Sequence, residues 1–142
     1  MTKITFRLLE RKDLREVFPL LQQLTEIDYS NRSKQECWEK FTSNNSSNSV
    51  VGIHEDKVIA YGSILIENKI RGEAAGYIED IVVDKKARCK KIGIRLVEKL
   101  INIANDKSCY RISLSCNENL IQFYNKNGFE VCENTMKLYP NK

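Results

Sequence analysis

The sequence lacks the residue patterns of a metal site, a disulfide scaffold and a membrane span. It has five cysteines, an odd number without CxxC spacing, and a single histidine, His54. A zinc site or a disulfide framework would need more ligands or partners at suitable spacing. No apolar run approaches the length of a membrane span, and the start, MTKITFRLLERKD, turns charged too early for a signal peptide. We predict a cytoplasmic protein with neither a bound metal nor a membrane partner.

A strong charge of one sign is also missing. The formal net charge is +4, from 23 basic and 19 acidic residues, so the total does not favour nucleic acid as a partner. Hydrophobic residues make up 42% and charged residues 30%, as in ordinary globular proteins. The chain has 142 residues, no internal repeat and one short polar patch at residues 43–49. We therefore predict a single domain over residues 1–142.

Hydrophobic periodicity predicts alternating strands and helices. Strands are predicted at residues 4–9, 50–54, 58–66, 77–83, 110–114, 129–131 and 135–139. Helices are predicted from Asp13 to about residue 25, at 34–41, at 92–106 and at 118–126, with Asp13 and Ser33 as N-caps. Pro19 predicts a kink or a break in the first helix, and the polar stretch 67–76 reads as a loop. The order β-α-α-β-β-β-α-β-α-β-β indicates an α/β (α+β) fold, a mixed sheet with helices on both faces.

Two acidic residues, Glu79 and Asp80, interrupt the apolar strand at 77–83. Because strand neighbours face opposite sides, one carboxylate should point to each face of the sheet. Ionised carboxylates in a covered strand are costly unless they meet cationic or donor groups. The pair therefore belongs either to a functional site or to a structural ion pair with a lysine or arginine, and the residues alone leave both open.

A basic turn, DKKARCKKIG, follows this strand and precedes an amphipathic helical pattern. Residues 85–95 contain no acidic residue and six basic ones, which are Lys85, Lys86, Arg88, Lys90, Lys91 and Arg95. Basic side chains and free amides at a helix start can hold a phosphate. A charge cluster is otherwise a solvated turn. The position between strand and helix favours the phosphate.

The third notable stretch is NLIQFYNKNGF at residues 119–129. Tyr124 is either a core aromatic beside Phe123 or a phenol that donates a proton to a leaving group. Spacing alone does not choose between these two roles.

Together these stretches resemble the GNAT superfamily of acetyl-CoA-dependent N-acetyltransferases. The turn at residues 88–93 occupies the place of that family's R/Q-x-x-G-x-G/A pyrophosphate loop. Six segments are similar to the branch of the family that acetylates glucosamine 6-phosphate: LLQQLT (20–25), IENK (66–69), YIEDIVVD (77–84), GIRLVEKLI (93–101), CYRISLSC (109–116) and FYNKNGF (123–129). They cover almost the whole chain in the family's order. The resemblance implies a largely antiparallel central sheet.

The resemblance also implies site residues. Those for acetyl-CoA are Ile81, Val82, Val83, Arg88, Cys89, Lys90, Lys91, Ile92, Gly93, Asn119 and Tyr124, with the pyrophosphate on the amides of residues 88–93. The Ile81 amide would polarise the thioester carbonyl, and the amine would attack without an acyl-enzyme. Tyr124 would stabilise or protonate the departing thiolate. The acceptor side would comprise Glu79, Asp80 and Ser115 around the amine and Thr25, Glu67, Asn68, Lys69, Tyr110 and Arg111 around the sugar phosphate and hydroxyls. No metal is implied. Members of the family are homodimers that share site residues.

Several positions depart from the family pattern. Lys91 replaces the first loop glycine, so the backbone must turn there with a side chain present. Ser115 stands where an aspartate is expected, and Leu120 where an asparagine commonly helps to hold CoA, with Asn119 beside it. The connection between Lys69 and Glu79 is slightly short. These departures bear on substrate affinity more than on the fold.

Other functions stay open at this point. A GNAT enzyme for a polyamine or a protein N-terminus would keep the donor site, although Lys69 and Arg111 favour a phosphorylated acceptor. A GNAT fold that binds CoA without turnover would agree with the changes at Lys91 and Ser115. A polyanion-binding module would use only the basic turn and would give no role to Tyr124 or to the two acidic residues.

Overall fold

The computed structural model describes residues 3–28, 33–87 and 91–141. These ranges contain five strands: β1 (Thr5–Leu8), β2 (Ser47–His54), β3 (Lys57–Asn68), β4 (Ala74–Val83) and β5 (Cys109–Leu114). They also contain four α-helices: α1 (Leu14–Leu21), α2 (Lys34–Thr42), α3 (Ile92–Asp106) and α4 (Ile121–Asn125). Short 3-10 turns at Arg11–Asp13, Lys85–Ala87 and Glu118–Leu120 lead into helices or connect elements.

The strands form one sheet in the order β1-β2-β3-β4-β5. The first four pair antiparallel, and β4 pairs with β5 in parallel. Because a parallel pair needs a long crossover, α3 lies between these two strands in the chain. Glu55 and Asp56 both have positive φ at the β2–β3 turn, which suits a tight hairpin. The predicted mixed, largely antiparallel sheet is confirmed.

Helices cover both faces of the sheet, as predicted. On one face, Leu96, Val97, Leu100 and Ala104 of α3 are fully buried, as their helical spacing predicts. On the other face, α1 contributes Val17 and Leu20 to a cluster with Val51, Val58, Tyr61 and Val82. The two faces are called the α3 face and the α1 face below.

Asp13 is the N-cap residue of α1, as predicted, but its side chain makes no cap hydrogen bond to that helix and ties β1 to α1 instead. Only 3% of Asp13 is exposed. Its carboxylate accepts hydrogen bonds from Arg7 Nη1 at 2.7 Å and Nη2 at 2.9 Å and from the Glu10 amide at 2.8 Å. Burial by itself raises the pKa of Asp13, but the bonds from Arg7 and Glu10 outweigh burial and lower that pKa. The Asp13 side chain bonds to Arg7 and to the start of the preceding 3-10 turn, and so it is not available to cap α1.

The first helix ends earlier than predicted, and Pro19 does not break it. α1 stops at Leu21, and a turn with hydrogen bonds from Leu24 and Thr25 to Leu21 continues the chain. Proline removes one backbone hydrogen-bond donor. Because α1 ends two residues after Pro19, few helical hydrogen bonds follow it. Ser33 caps α2 as predicted, because its hydroxyl accepts the Glu36 amide at 3.0 Å.

The predicted loop at 67–76 is too long, because half of it is strand. β3 runs to Asn68 and β4 begins at Ala74. The short connection is closed by the Lys69 amide, which donates to the Glu73 carbonyl at 2.8 Å. Small buried residues such as Ala75 extend β4 without the strong apolar alternation that marks a strand in sequence.

The last two predicted strands, at 129–131 and 135–139, are also wrong for this chain by itself. No residue after Leu114 is in a strand within the part that the structure describes. The apolar side chains of this tail point outward: Met136 is 93% and Leu138 86% exposed. Alternation indicates a strand only where an edge is available to pair with it, and the tail has no such pairing in the described chain.

Candidate active site

A gap opens where β4 and β5 separate. Their last paired residues are Ile78 and Leu114. β5 ends there, while β4 continues to Val83. Just at the point of separation, the Tyr77 hydroxyl lies 3.0 Å from the Ser115 hydroxyl. Ligands of open sheets bind at the carboxyl ends of parallel strands where the topology changes, so this gap is the candidate site.

A β-bulge shapes the wall of β4 beside this gap. The β3–β4 register shifts between Tyr61 and Ser63, so Asp80 and Ile81 together oppose Gly62. Asp80 takes the positive φ of 55° that such an irregularity requires. A Cβ at Gly62 would lie 2.7 Å from Ile81 Cδ1, so glycine leaves the space that the Ile81 side chain occupies on the α3 face.

The bulge interrupts the strand alternation from which we predicted that Glu79 and Asp80 point to opposite faces. Glu79 pairs across the strands with Ser63, and cross-strand partners share a face. Ser63 lies near Ser49 and Tyr61 on the α1 face. Burial raises the pKa of Tyr61, and the charge of Asp80 raises it further. The extra residue interrupts the strand alternation at Asp80, whereas Glu79 lies on the α1 face.

Among the described residues, neither Glu79 nor Asp80 forms the structural ion pair that was one of the two interpretations of the sequence. Both residues are exposed, and no described lysine or arginine forms a salt bridge with either one. Partial desolvation raises the pKa of the Asp80 carboxyl although the residue as a whole remains exposed. An unpaired carboxylate with a raised pKa beside a gap is typical of a functional site.

The start of α3 supplies backbone amide donors close to the end of β4. The first amides of a helix have no partner within it, and they favour an anion. Lys91 immediately precedes the helix in the left-handed conformation, with φ of 56°. The expected turn with a side chain present is thus confirmed there. Buried Ile92 anchors the helix start. The predicted residues Arg88, Cys89 and Lys90 lie outside the described residues.

Tyr124 is both a core aromatic and a wall of the candidate site. It is 8% exposed, and its ring meets the ring of Phe123 edge-on at 4.8 Å. Burial raises the pKa of its phenol, and the nearby Cys116 raises it further. Tyr124 lines a cavity of about 460 Å³ together with the end of β5, including Ser115, and the tail segment at 130–135. The neighbouring Asn119 is exposed in the 3-10 turn.

The predicted acceptor residues lie in two groups along the sheet. Glu67, Ala75 and Arg111 lie in one row across β3, β4 and β5. Glu79 is four residues further along β4 than Ala75, roughly 13 Å at about 3.3 Å per residue. Arg111 and Ser115, one from each group, line the same cavity. The first group comprises Glu67, Asn68, Lys69, Tyr110 and Arg111, and the second comprises Glu79, Asp80 and Ser115. Thr25 is exposed in the turn after α1.

The first of these groups forms a basic and aromatic patch together with Arg71. Lys69 Nζ lies 3.1 Å from Glu67 Oε1. Arg71 donates to the Tyr110 hydroxyl at 2.6 Å, and the guanidinium groups of Arg71 and Arg111 each lie 5.3 Å from the centre of the Tyr110 ring. Such a patch suits an anionic ligand, and Arg111 also lines the cavity that contains Ser115 and Tyr124.

Sequence reasoning missed several residues of this region. A glycine inside a strand signals a bulge, so Gly62 was open to detection. Tyr61 and Gln23 carried no local signal, because their contacts join segments that are distant in sequence. The Gln23 side chain accepts the amide of Lys85 at 3.1 Å.

Two general features complete the description of residues 3–28, 33–87 and 91–141. Among them, no group of three or more histidine, cysteine or acidic side chains is arranged to hold a metal ion. None of the helices in these ranges has the length and apolar character needed to cross a membrane.

Comparison with known proteins places this site in a context. The model of the acetyltransferase (GNAT) family matches residues 14–129. Glucosamine 6-phosphate N-acetyltransferase 1 of Dictyostelium discoideum is 34% identical over 145 residues, covering 96% of this chain and 90% of that protein. The Arabidopsis thaliana glucosamine 6-phosphate N-acetyltransferase is 34% identical over 129 residues, covering 86% and 87%. A crystal structure of the Arabidopsis enzyme matches with a TM-score of 0.87 and 32% identity, covering 97% of this chain and 99% of that one.

Proposed function

The chain belongs to the GNAT acetyltransferase family, and we propose that it transfers the acetyl group of acetyl-CoA to the amine of glucosamine 6-phosphate. The products are N-acetylglucosamine 6-phosphate and CoA. The observation that carries the acceptor is the 34% identity, over 96% of the chain, to a relative named for this reaction. The likeness to the Arabidopsis structure over almost the whole of both chains supports the same assignment. The product would serve the synthesis of UDP-N-acetylglucosamine.

The α3 side of the gap fits the donor. Ile81 to Val83 form the part of β4 that extends beyond its pairing with β5, and the Ile81 amide is proposed to polarise the thioester carbonyl. The first amides of α3 and the ammonium of Lys91 suit the pyrophosphate. The left-handed conformation of Lys91 makes the turn that a glycine would make, so this departure from the family pattern does not prevent the loop from forming.

The α1 side of the gap fits the acceptor. Glu79 and Asp80 are proposed to hold the sugar and its ammonium, because Glu79 lies on this face and neither carboxylate forms a salt bridge with a described lysine or arginine. The Ser115 backbone carbonyl is proposed to accept from the amine, which makes the missing aspartate carboxylate dispensable. The amine attacks the thioester directly, and the buried phenol of Tyr124, which carries its proton at neutral pH, protonates the departing thiolate.

We further propose that the enzyme is a homodimer in which each site uses residues of both chains. One observation supports this. The tail bears exposed apolar residues such as Met136 and Leu138. A tail with strand-like alternation that forms no strand within the described residues can pair with a strand in a symmetric dimer.

The experiment that tests the reaction is product identification. Purified protein is incubated with acetyl-CoA and glucosamine 6-phosphate, and the sugar phosphate is analysed by mass spectrometry. The proposal expects a product heavier by one acetyl group and an equal amount of free CoA thiol. Thiol release without acetylated sugar phosphate would contradict it.

Complementation tests the shared site. Lys69→Ala and Tyr124→Phe, each with low activity, are mixed under conditions that exchange subunits. If one site takes Lys69 from one chain and Tyr124 from the other, half of the dimers are mixed and each has one intact site. Activity should then recover to about a quarter of wild type. No recovery, with subunit exchange verified, would refute a site shared in this way.

A further inference from the structure

We infer that Gln23 is a positioning residue for the donor, because its side-chain carbonyl holds the turn that leads from β4 to α3. Gln23 Oε1 accepts a hydrogen bond from the amide of Lys85 at 3.1 Å. The two residues are 62 positions apart in the chain. The inference rests on the proposed use of CoA and names a residue that supports its pyrophosphate site without touching it.

The backbone that carries the Gln23 side chain is held in place by a hydrogen bond and by the buried residues of α1. Its own amide donates to the Leu20 carbonyl at 3.0 Å, in the turn that continues α1. Leu20 and Val17, in the preceding turns of the helix, are buried in the α1-face core. The backbone of Gln23 is therefore fixed relative to the sheet. The hydrogen bond from the Lys85 amide to Gln23 Oε1 links the turn after β4 to this fixed point.

The turn that Gln23 holds is fully engaged with the protein. Lys85 begins the 3-10 turn Lys85–Ala87. The next two amides are satisfied by Asp84: Lys86 donates to Asp84 Oδ1 at 3.1 Å and Ala87 to the Asp84 carbonyl at 2.9 Å. The Asp84 amide donates in turn to the Ile59 carbonyl of β3 at 2.8 Å. Among the amides of residues 84–87, only that of Lys85 donates to a side chain from a distant segment, the turn after α1.

This arrangement gives Gln23 a specific effect. The 3-10 turn Lys85–Ala87 precedes the basic segment in the chain, and α3 begins at Ile92 directly after Lys91. Loss of the bond to Lys85 would free this turn while leaving the sheet and α3 intact. The consequence should fall on the pyrophosphate and not on the pantetheine part of the donor, which lies along β4.

The neighbouring Gln22 provides a matched control. It has the same side chain and is also exposed, and its amide donates to the Phe18 carbonyl. Its side chain makes no hydrogen bond to another described residue. Replacement by methionine keeps the length and approximate volume of glutamine while removing the acceptor.

The test is isothermal titration of CoA into wild type, Gln23→Met and Gln22→Met. Since one hydrogen bond is at stake, Gln23→Met should weaken CoA binding about three- to tenfold, and Gln22→Met should leave it unchanged. A second readout compares kcat/KM for acetyl-CoA with that for S-acetylpantetheine, which lacks the pyrophosphate. Gln23→Met should lower the first value and leave the second unchanged.

Each other result counts against the inference. Unchanged CoA binding in Gln23→Met, or equal losses for both donors, would overturn a role at the pyrophosphate turn. Equal weakening by Gln22→Met would assign the effect to α1 in general. If wild type does not bind CoA, the donor proposed for the enzyme fails together with this inference. If wild type binds CoA and only the Gln23 effect is missing, the proposed function stands.

Discussion

Gly93, the second residue of α3, lies directly against Phe123: a Cβ at Gly93 would be 2.9 Å from Cζ of that ring. The phenylalanine in turn meets Tyr124 edge-on at 4.8 Å. The helix that offers its amides to an anion and the tyrosine proposed as the acid are therefore joined through one contact. Lys91, two residues earlier, needs a glycine-like backbone for another reason, its positive φ.

Gly93→Ala should displace the Phe123 ring and, with it, Tyr124. Overpacking of this kind costs about 1–3 kcal/mol of unfolding free energy, and turnover should fall because the phenol moves. Urea unfolding and steady-state kinetics measure the two effects. Adding Phe123→Leu to Gly93→Ala should restore part of the stability, because it removes the atoms in the way. A Gly93→Ala protein with wild-type stability and turnover would refute the coupling.

Lys91→Gly should stabilise the fold, because a non-glycine residue in the left-handed region costs about 1–2 kcal/mol. The greater freedom of glycine in the unfolded chain offsets part of that gain, so a net increase of about 0.5–1 kcal/mol is expected. CoA should bind more weakly at low salt, because an ammonium is lost. Lys91→Ala separates the effects: it should lose the same affinity without gaining stability. If both variants were equally stable, the backbone explanation would be wrong.

Tyr124→Phe should lower kcat by about a hundredfold, the usual effect of losing a general acid. CoA affinity should change little, because the ring and its contacts with Phe123 and Phe129 remain. Stopped-flow or steady-state rates combined with titration of CoA provide the comparison. An unchanged rate would show that Tyr124 is not the acid, and a parallel loss of CoA affinity would assign it to binding.

Asp13→Asn should destabilise the fold at neutral pH by roughly 2 kcal/mol, since hydrogen bonds to a charged partner are lost. The folded state lowers the pKa of Asp13, so the stabilisation is present above the unfolded value, near pH 3.9. It disappears as the pH falls through the folded value. Urea unfolding from pH 7 down to pH 2 should therefore bring the two proteins together at the acid end. A constant difference at every pH would exclude the ionised carboxylate as its source.

Regular periodicity made much of this fold predictable from the sequence. The α3 face followed from the spacing of Leu96, Leu100 and Ala104, and Ser33 was recognisable as a cap. Errors arose where context decides the structure. Ala75 carries too little apolar signal to mark a strand, and the tail around Leu138 alternates without a strand beside it in the chain.

The candidate site was predictable in kind but not in geometry. Strand, basic turn and helix pointed to a phosphate, whereas the bulge at Asp80 depends on its pairing opposite Gly62. A single extra residue in the ladder interrupts the alternation from which the directions of the acidic pair were predicted. Contacts between distant segments, such as that of Gln23 with Lys85, leave no periodic trace in a sequence.

The most direct test of the central claim is the ratio of kcat/KM for three acceptors with acetyl-CoA, followed by thiol release. The acceptors are glucosamine 6-phosphate, glucosamine and spermidine. Because basic residues such as Lys69 and Arg111 are proposed to bind the phosphate through charge-assisted hydrogen bonds, glucosamine 6-phosphate should exceed glucosamine by about a hundredfold or more. Spermidine should be slower still. Equal values for the three amines, or the highest value for spermidine, would contradict a sugar-phosphate acetyltransferase.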